Sequence, residues 1–179
     1  MNTPTHIVSG ICLAQIICCR WGTGSALRRG LTGFACFTVG MFLHLCLDHM
    51  PHYAWIVYLP GFEKLPFHWL MKEGLATLIV ATPCMFIARK NWPYAILGVV
   101  GAIYPDMEKV AAIDFHAPER FIIFKSHSLQ LSSHDGGISH GLLIATELGL
   151  IAGMMLWIYA SARASRGGKG DARSYLPSK

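Results

Sequence analysis

The sequence predicts an all-α fold: a polytopic membrane helical bundle of about five transmembrane or membrane-embedded helices. Three observations predict it. The 179 residues are 53% hydrophobic and only 14% charged, whereas soluble domains average roughly 45–50% and about 25%; mean hydropathy is +0.42. The apolar residues are gathered into long uncharged runs. The charges between those runs sort by sign. Too little charge is present to cover a water-facing surface, which excludes intrinsic disorder and disfavours an ordinary soluble enzyme. The net charge of +5 does not indicate nucleic acid, because no polar face interleaves basic and aromatic residues.

Uncharged runs occupy residues 1–19, 30–47, 74–88, 91–105 and 136–162, the last broken only by Glu147. A helix needs about 20 residues to cross a bilayer. Residues 30–47, 136–162 and 74–88 extended back through 69–73 meet that length, and residues 1–19 are marginal. Residues 91–105 are short, which fits a tilted, re-entrant or internally packed helix. The start, Met-Asn-Thr-Pro-Thr-His, lacks the basic n-region of a signal peptide, so the first apolar segment is expected to be retained. Residues 1–162 form one membrane-embedded domain. Residues 163–179, rich in Gly, Ser and basic side chains, read as a disordered cytoplasmic tail. No internal repeat is present, and the oligomeric state is not written in the sequence.

Five alternating segments divide the loops between two sides. One side takes Arg20, Arg28, Arg29, Arg89, Lys90 and the basic tail, for a net +9; the other takes a net −3, and Glu147 inside the membrane completes the total of +5. The positive-inside tendency makes the first side cytoplasmic and the protein N-out, C-in. Six cysteines (Cys12, Cys18, Cys19, Cys36, Cys46 and Cys84) occur without a C-x-x-C pair and read as small buried hydrophobes; Cys18 and Cys19, beside Arg20, carry a weak acylation signal.

The same sorting puts all nine histidines, His6, His44, His49, His52, His68, His116, His127, His134 and His140, on the outer side or in the outer ends of helices. Imidazoles gathered with carboxylates are the ligand set of zinc and similar divalent metals. The sharpest motif is His44-Leu-Cys-Leu-Asp48-His49-Met-Pro51-His52. Residues 44 and 48 are four apart, so a helix points both to one face, where they chelate an ion or simply hydrogen-bond each other. Pro51 disfavours helical geometry at Met50 and ends the helix near there. A second motif, Gly98 to Glu108, reads as an apolar helix packed through its glycines and ended by a Pro105-Asp106 turn, with Asp106 as a carboxylate ligand. The third is Ser126-His127-Ser128 followed by Ser133-His134-Asp135 and Ser139-His140, which opens the last span. Glu147, two turns beyond His140, must face the bundle interior, bonded to a polar partner such as His44 or supporting the metal. Thr5-His6 starts the first helix at the same depth, and Lys72-Glu73 reads as an ion pair at the start of the third.

These residues resemble the membrane-bound metal-dependent hydrolases of bacteria and archaea, a group distantly similar to zinc-dependent phospholipase C. The resemblance rests on Thr5-His6, on His44-Leu-Cys-Leu-Asp48 with Pro51-His52, on Gly101-Ala-Ile-Tyr-Pro105-Asp106, and on the Ser/His-rich stretch ending at Ser139-His140. The interval from His134 to His140 is one residue longer than the compact His-Arg-Gly-x-Thr-His pattern of that family, and Asp135 stands where it has Arg. The resemblance implies a metal centre built by His6, His44, Asp48, Asp106 and His140, in a bacterial inner membrane or archaeal cell membrane. The leading expectation is a hydrolase that uses divalent zinc on an ester or phosphoester of a membrane lipid or lipid-linked substrate at the outer interface. His52, His127 and His134 would move protons, and Lys109, Arg120 and Lys125 would meet an anionic headgroup. The alternatives are a non-catalytic metal sensor or carrier and a purely structural protein.

Overall fold

A computed structural model describes residues 2–21, 24–53, 55–58, 60, 68–113, 115–116, 118, 123–124 and 137–167. The architecture is all-helical, with no strand among the described residues. The helices are α1 (Thr3–Trp21), α2 (Ala26–Asp48), α3 (His68–Ile87), α4 (Trp92–Ile113) and α5 (His140–Gly167), with 3-10 turns at Trp55–Tyr58 and Arg89–Asn91.

Local chemistry sets most of the boundaries. Pro4 sits in the first turn of α1, where its missing N–H is no loss. Ser25 caps α2, its Oγ accepting the Arg28 N–H at 3.3 Å, and α2 stops at Asp48, just ahead of Pro51. The last helix continues through Gly167, five residues past the expected limit at 162, because Ala-Arg-Ala-Ser-Arg contains no breaker until the Gly167-Gly168 pair. The tail beyond it lies outside the described residues.

One boundary differs from the sequence reading. Pro105 does not end a helix; α4 runs through it to Ile113, so Asp106 lies on a helix and not in a turn. Proline withholds an N–H from the carbonyl four residues back, here Gly101. Within a bundle such freed or loosened backbone groups are satisfied by neighbouring helices.

The helix that touches all four others is α1, and it carries several polar side chains. α1 packs against α2, α3, α4 and α5 and buries Thr5, His6, Ser9 and Gln15 along with Ile7, Val8, Ile11 and Ala14. Its polar groups face protein, so they cost nothing toward lipid. Around it, large apolar side chains point outward: Leu27, Phe34 and Phe42 on α2, Leu78, Ile79 and Phe86 on α3, and Leu142, Leu156 and Tyr159 on α5. An outward apolar surface of that extent is consistent with a membrane protein. Two helices, Ala26–Asp48 and His140–Ala164, are long and apolar enough to cross a membrane. Met71–Ile87 and Arg89–Ala111, bent by 84° at their break, supply a third span if they are taken together.

Glycines fix how the central helices cross. A Cβ on Gly98 would lie 2.4 Å from the Gly10 carbonyl oxygen, one on Gly40 2.7 Å from the Gly98 oxygen, and one on Gly101 2.1 Å from the Phe37 oxygen. Only hydrogen fits at these points, so α4 lies backbone to backbone against α1 and α2, the small-residue packing expected of membrane helices. Cys18, Cys36 and Cys84 are buried free thiols, as small apolar residues are, whereas Cys19 and Cys46 are exposed.

Candidate metal centre

The glycine crossing determines which side chains meet. Gly10 lies one turn from His6, Gly40 one turn from His44, and Gly98 about two turns from Asp106. All three branches run to the same end of the bundle. There the ligand atoms of His6, His44 and Asp106 lie within 4.8 Å of one another. Asp48 spans the two imidazoles with separate oxygens: Oδ1 is 3.0 Å from His6 Nε2 and Oδ2 is 3.3 Å from His44 Nε2. Asp106 Oδ1 is 3.7 Å from His44 Nε2. Around an ion bound at about 2.1 Å, tetrahedral ligand atoms sit about 3.4 Å apart. The separations of 3.0, 3.3 and 3.7 Å lie on both sides of that spacing.

The hydrogen bonds of His44 define what the site requires. Its Nδ1 is 2.6 Å from the Ala102 carbonyl oxygen. A carbonyl has no proton to give, so Nδ1 carries the N–H and donates it. In the neutral ring Nε2 is then a bare lone pair, and it faces carboxylate oxygens of Asp48 and Asp106. Acceptor facing acceptor is repulsive unless a cation or a second proton lies between them. A backbone carbonyl behind the distal nitrogen is also the usual partner of a metal-ligating histidine.

His6 gives the second indication. It is fully buried, its Nδ1 has no hydrogen-bond partner among the described residues, and its Nε2 meets only Asp48 Oδ1, 3.0 Å away. Buried imidazole nitrogens are rarely left in this state without a reason. The His6 ring stacks on His44 with centroids 4.0 Å apart and 27° between planes. Two imidazolium charges at that separation would repel by about 4 kcal/mol even at an effective dielectric of 20. Protonating both rings is thus the poorer way to balance the carboxylates, and the donor set fits a divalent ion. His6 and His44 have no exposed side-chain surface, but Asp48 is 16% and Asp106 35% exposed. The centre opens on its carboxylate side.

The remaining sequence candidates are His140, His52, His127 and His134. His140, the first residue of α5, is exposed and stacks on Tyr53 with centroids 4.0 Å apart and planes 6° apart; it is not in the converging group. His52 lies on the loop just past Asp48, its Nδ1 donating to the Met50 carbonyl at 2.9 Å. His127 and His134 lie outside the described residues, as do Arg120 and Lys125.

Glu147 is buried and faces the interior, but its partners are not His44. It accepts the backbone N–H of Asn2 at 3.0 Å, the Asn2 amide, the Thr5 hydroxyl and the Trp55 indole N–H. Glu73, also buried, turns its Oε2 to the Thr3 N–H at 3.0 Å. Sequence reasoning missed Asn2, Trp55 and the Ala102 carbonyl. Asn2 and Trp55 carry no motif, and Ala102 acts through its backbone, which every residue possesses. Comparison with family models, with curated proteins and with solved structures found no match.

Proposed function

We propose that this chain is an integral membrane hydrolase whose centre, formed by His6, His44, Asp48 and Asp106, holds a divalent metal, zinc being the best chemical fit to two imidazoles and two carboxylates. The observation that carries this reading is the His44 tautomer: with Nδ1 donating to Ala102, its Nε2 lone pair meets carboxylate oxygens across a gap that suits a cation. A divalent ion held there would supply Lewis acidity toward an ester or phosphoester oxygen. The chain's own part is to keep both imidazoles neutral and oriented, to exclude water from the histidine side, and to leave the carboxylate side open. His52, four residues past Asp48, supplies a proton carrier at the rim, with His127 and His134 in the same role.

All five helices are read as membrane-embedded, with the metal centre at the outer interface and the N-terminus outside. Arg20, Arg28, Arg29, Arg89 and Lys90 gather at the opposite end of the bundle, where Trp21 and Trp92 are exposed as interfacial anchors are. A centre opening at that depth favours a substrate that diffuses in the bilayer, a lipid or lipid-linked ester. The resemblance to membrane-bound metal-dependent hydrolases points the same way. The test is metal stoichiometry and lipid turnover by the purified full chain. Wild type is expected to retain metal and to cleave ester or phosphoester lipids in mixed micelles, and Asp48→Ala to do neither. Metal content unchanged in His44→Ala, Asp48→Ala and Asp106→Ala would end the metal reading; metal bound without turnover would leave a sensor or carrier.

A further inference from the structure

We propose that Glu147 is a positioning residue that, with Glu73, sets the place of His6 by clamping the start of α1. The proposal rests on the metal-centre reading for what His6 does, and on hydrogen bonds alone for how it is held.

The two histidines of the centre are fixed in different ways. His44 is oriented by its own ring, through Nδ1 to the Ala102 oxygen at 2.6 Å. His6 has no backbone partner for its ring: Nδ1 is unpartnered and Nε2 meets only the Asp48 carboxylate, 3.0 Å away, so the backbone of α1 has a large share in placing it. It lies in the first turn of α1, which is the part of a helix with unsatisfied N–H groups and a tendency to fray. Each of those groups is accounted for. The Asn2 N–H goes to Glu147 Oε1 and the Thr3 N–H to Glu73 Oε2, each at 3.0 Å; Pro4 has none, and the Thr5 N–H bonds the Asn2 oxygen at 3.0 Å. Two carboxylates from two other helices thus sit at the positive end of α1, where anions are favoured. Glu147 also takes the hydroxyl of Thr5, the immediate neighbour of His6.

The same carboxylate ties in the connection after α2. Trp55 Nε1 donates to Glu147 Oε2 at 3.0 Å, and the Asn2 amide reaches the Tyr53 carbonyl at 3.2 Å. α5, α3 and this connection therefore converge on one turn of α1. None of these groups needs to touch an ion. Their effect on the centre passes through the backbone of residues 2–6.

The test uses the full chain in detergent, with metal removed by chelation, and reads carbethoxylation of individual histidines by peptide mass spectrometry. Maleimide labelling of Cys36 and Cys84, both fully buried, reports whether the bundle is intact. In wild type His6 is expected to be protected. In Glu147→Gln its modification rate rises at least about tenfold, the scale of losing hydrogen bonds to a charged acceptor, while Cys36 and Cys84 stay unreactive. Glu147→Asp, which keeps the charge, recovers most of the protection. Trp55→Phe, removing a single donor, gives a smaller rise and serves if Glu147→Gln does not fold. The proposal is overturned if His6 stays protected in the folded variants, or if Cys36 and Cys84 become reactive together with it, since Glu147 would then hold the bundle and not the end of α1. A parallel zinc titration separates the two readings: no binding by wild type removes the metal centre but leaves the clamp to be decided by protection.

Discussion

Replacing Gly98 with alanine should weaken the metal centre without altering any ligand. The added Cβ would sit 2.4 Å from the Gly10 carbonyl oxygen, whereas ordinary contact begins at 3.4 Å. The obstacle is backbone, which cannot rotate away, so α1 and α4 must separate by about 1 Å. Overpacking of this kind costs about 1–3 kcal/mol. The displacement passes to the site, because Gly10 is about 6 Å along its helix from His6 and Gly98 about 12 Å from Asp106 at 1.5 Å per residue. Ligand constellations tolerate only about 0.5 Å. We therefore expect zinc affinity to fall roughly 10–100-fold, the range seen when supporting residues of a metal site are disturbed. The assay is competition against a chromophoric chelator in detergent, with thermal unfolding followed on the same samples. Gly149→Ala is the control: a Cβ there meets nothing within 4 Å, and both affinity and melting should match wild type. A Gly98→Ala protein with wild-type affinity would refute the claim that the glycine crossing sets the geometry of the centre.

Other substitutions test the centre directly. Asp48→Asn and Asp106→Asn should each reduce zinc affinity by more than the roughly 10–100-fold of a supporting change, read in the same competition assay; equal affinity in either would remove that residue from the ligand set. Acidification should release the metal, because both imidazoles must be neutral to bind it and protons compete for them. Metal content after dialysis at about pH 5 should fall well below that at neutral pH, and equal content at both would count against imidazole ligation. In a cysteine-depleted background, Arg89→Cys and Met50→Cys should react with impermeant maleimide from opposite faces of the membrane, Met50→Cys from outside. Labelling of both from one face would mean that α3 does not cross the membrane, no labelling at residue 89 would fit a single broken span of α3 and α4, and either result would have the charge sorting redrawn.

Much of the site was legible in the sequence because its signals are local. The four-residue interval from His44 to Asp48 survives any arrangement of the helices, and so does the end of α2 ahead of Pro51. Pro105-Asp106 shows the limit of local reading. In isolation the pair favours a turn, but in the fold α4 continues through it while packed against α1 and α2. Glu147 was expected to face inward, as any carboxylate in an apolar helix must. Its partners, Asn2, Thr5 and Trp55, are 145, 142 and 92 residues away, and no periodicity in one segment reports the register of another.

The sequence by itself determined that the chain is apolar and helical; the sorting of its charge and histidines by side is an expectation that rests on five alternating segments. These are sums over adjacent residues, and hydropathy and charge add without reference to the fold. Tertiary structure alone decided that α1 lies at the centre, where its polar side chains are buried among four neighbouring helices. It also decided that His6 stacks on His44, that Ala102 fixes the His44 tautomer, and that His140 stacks on Tyr53. Each of these follows from how close two backbones come, and that distance is set where Gly10, Gly40, Gly98 and Gly101 leave no room for a side chain.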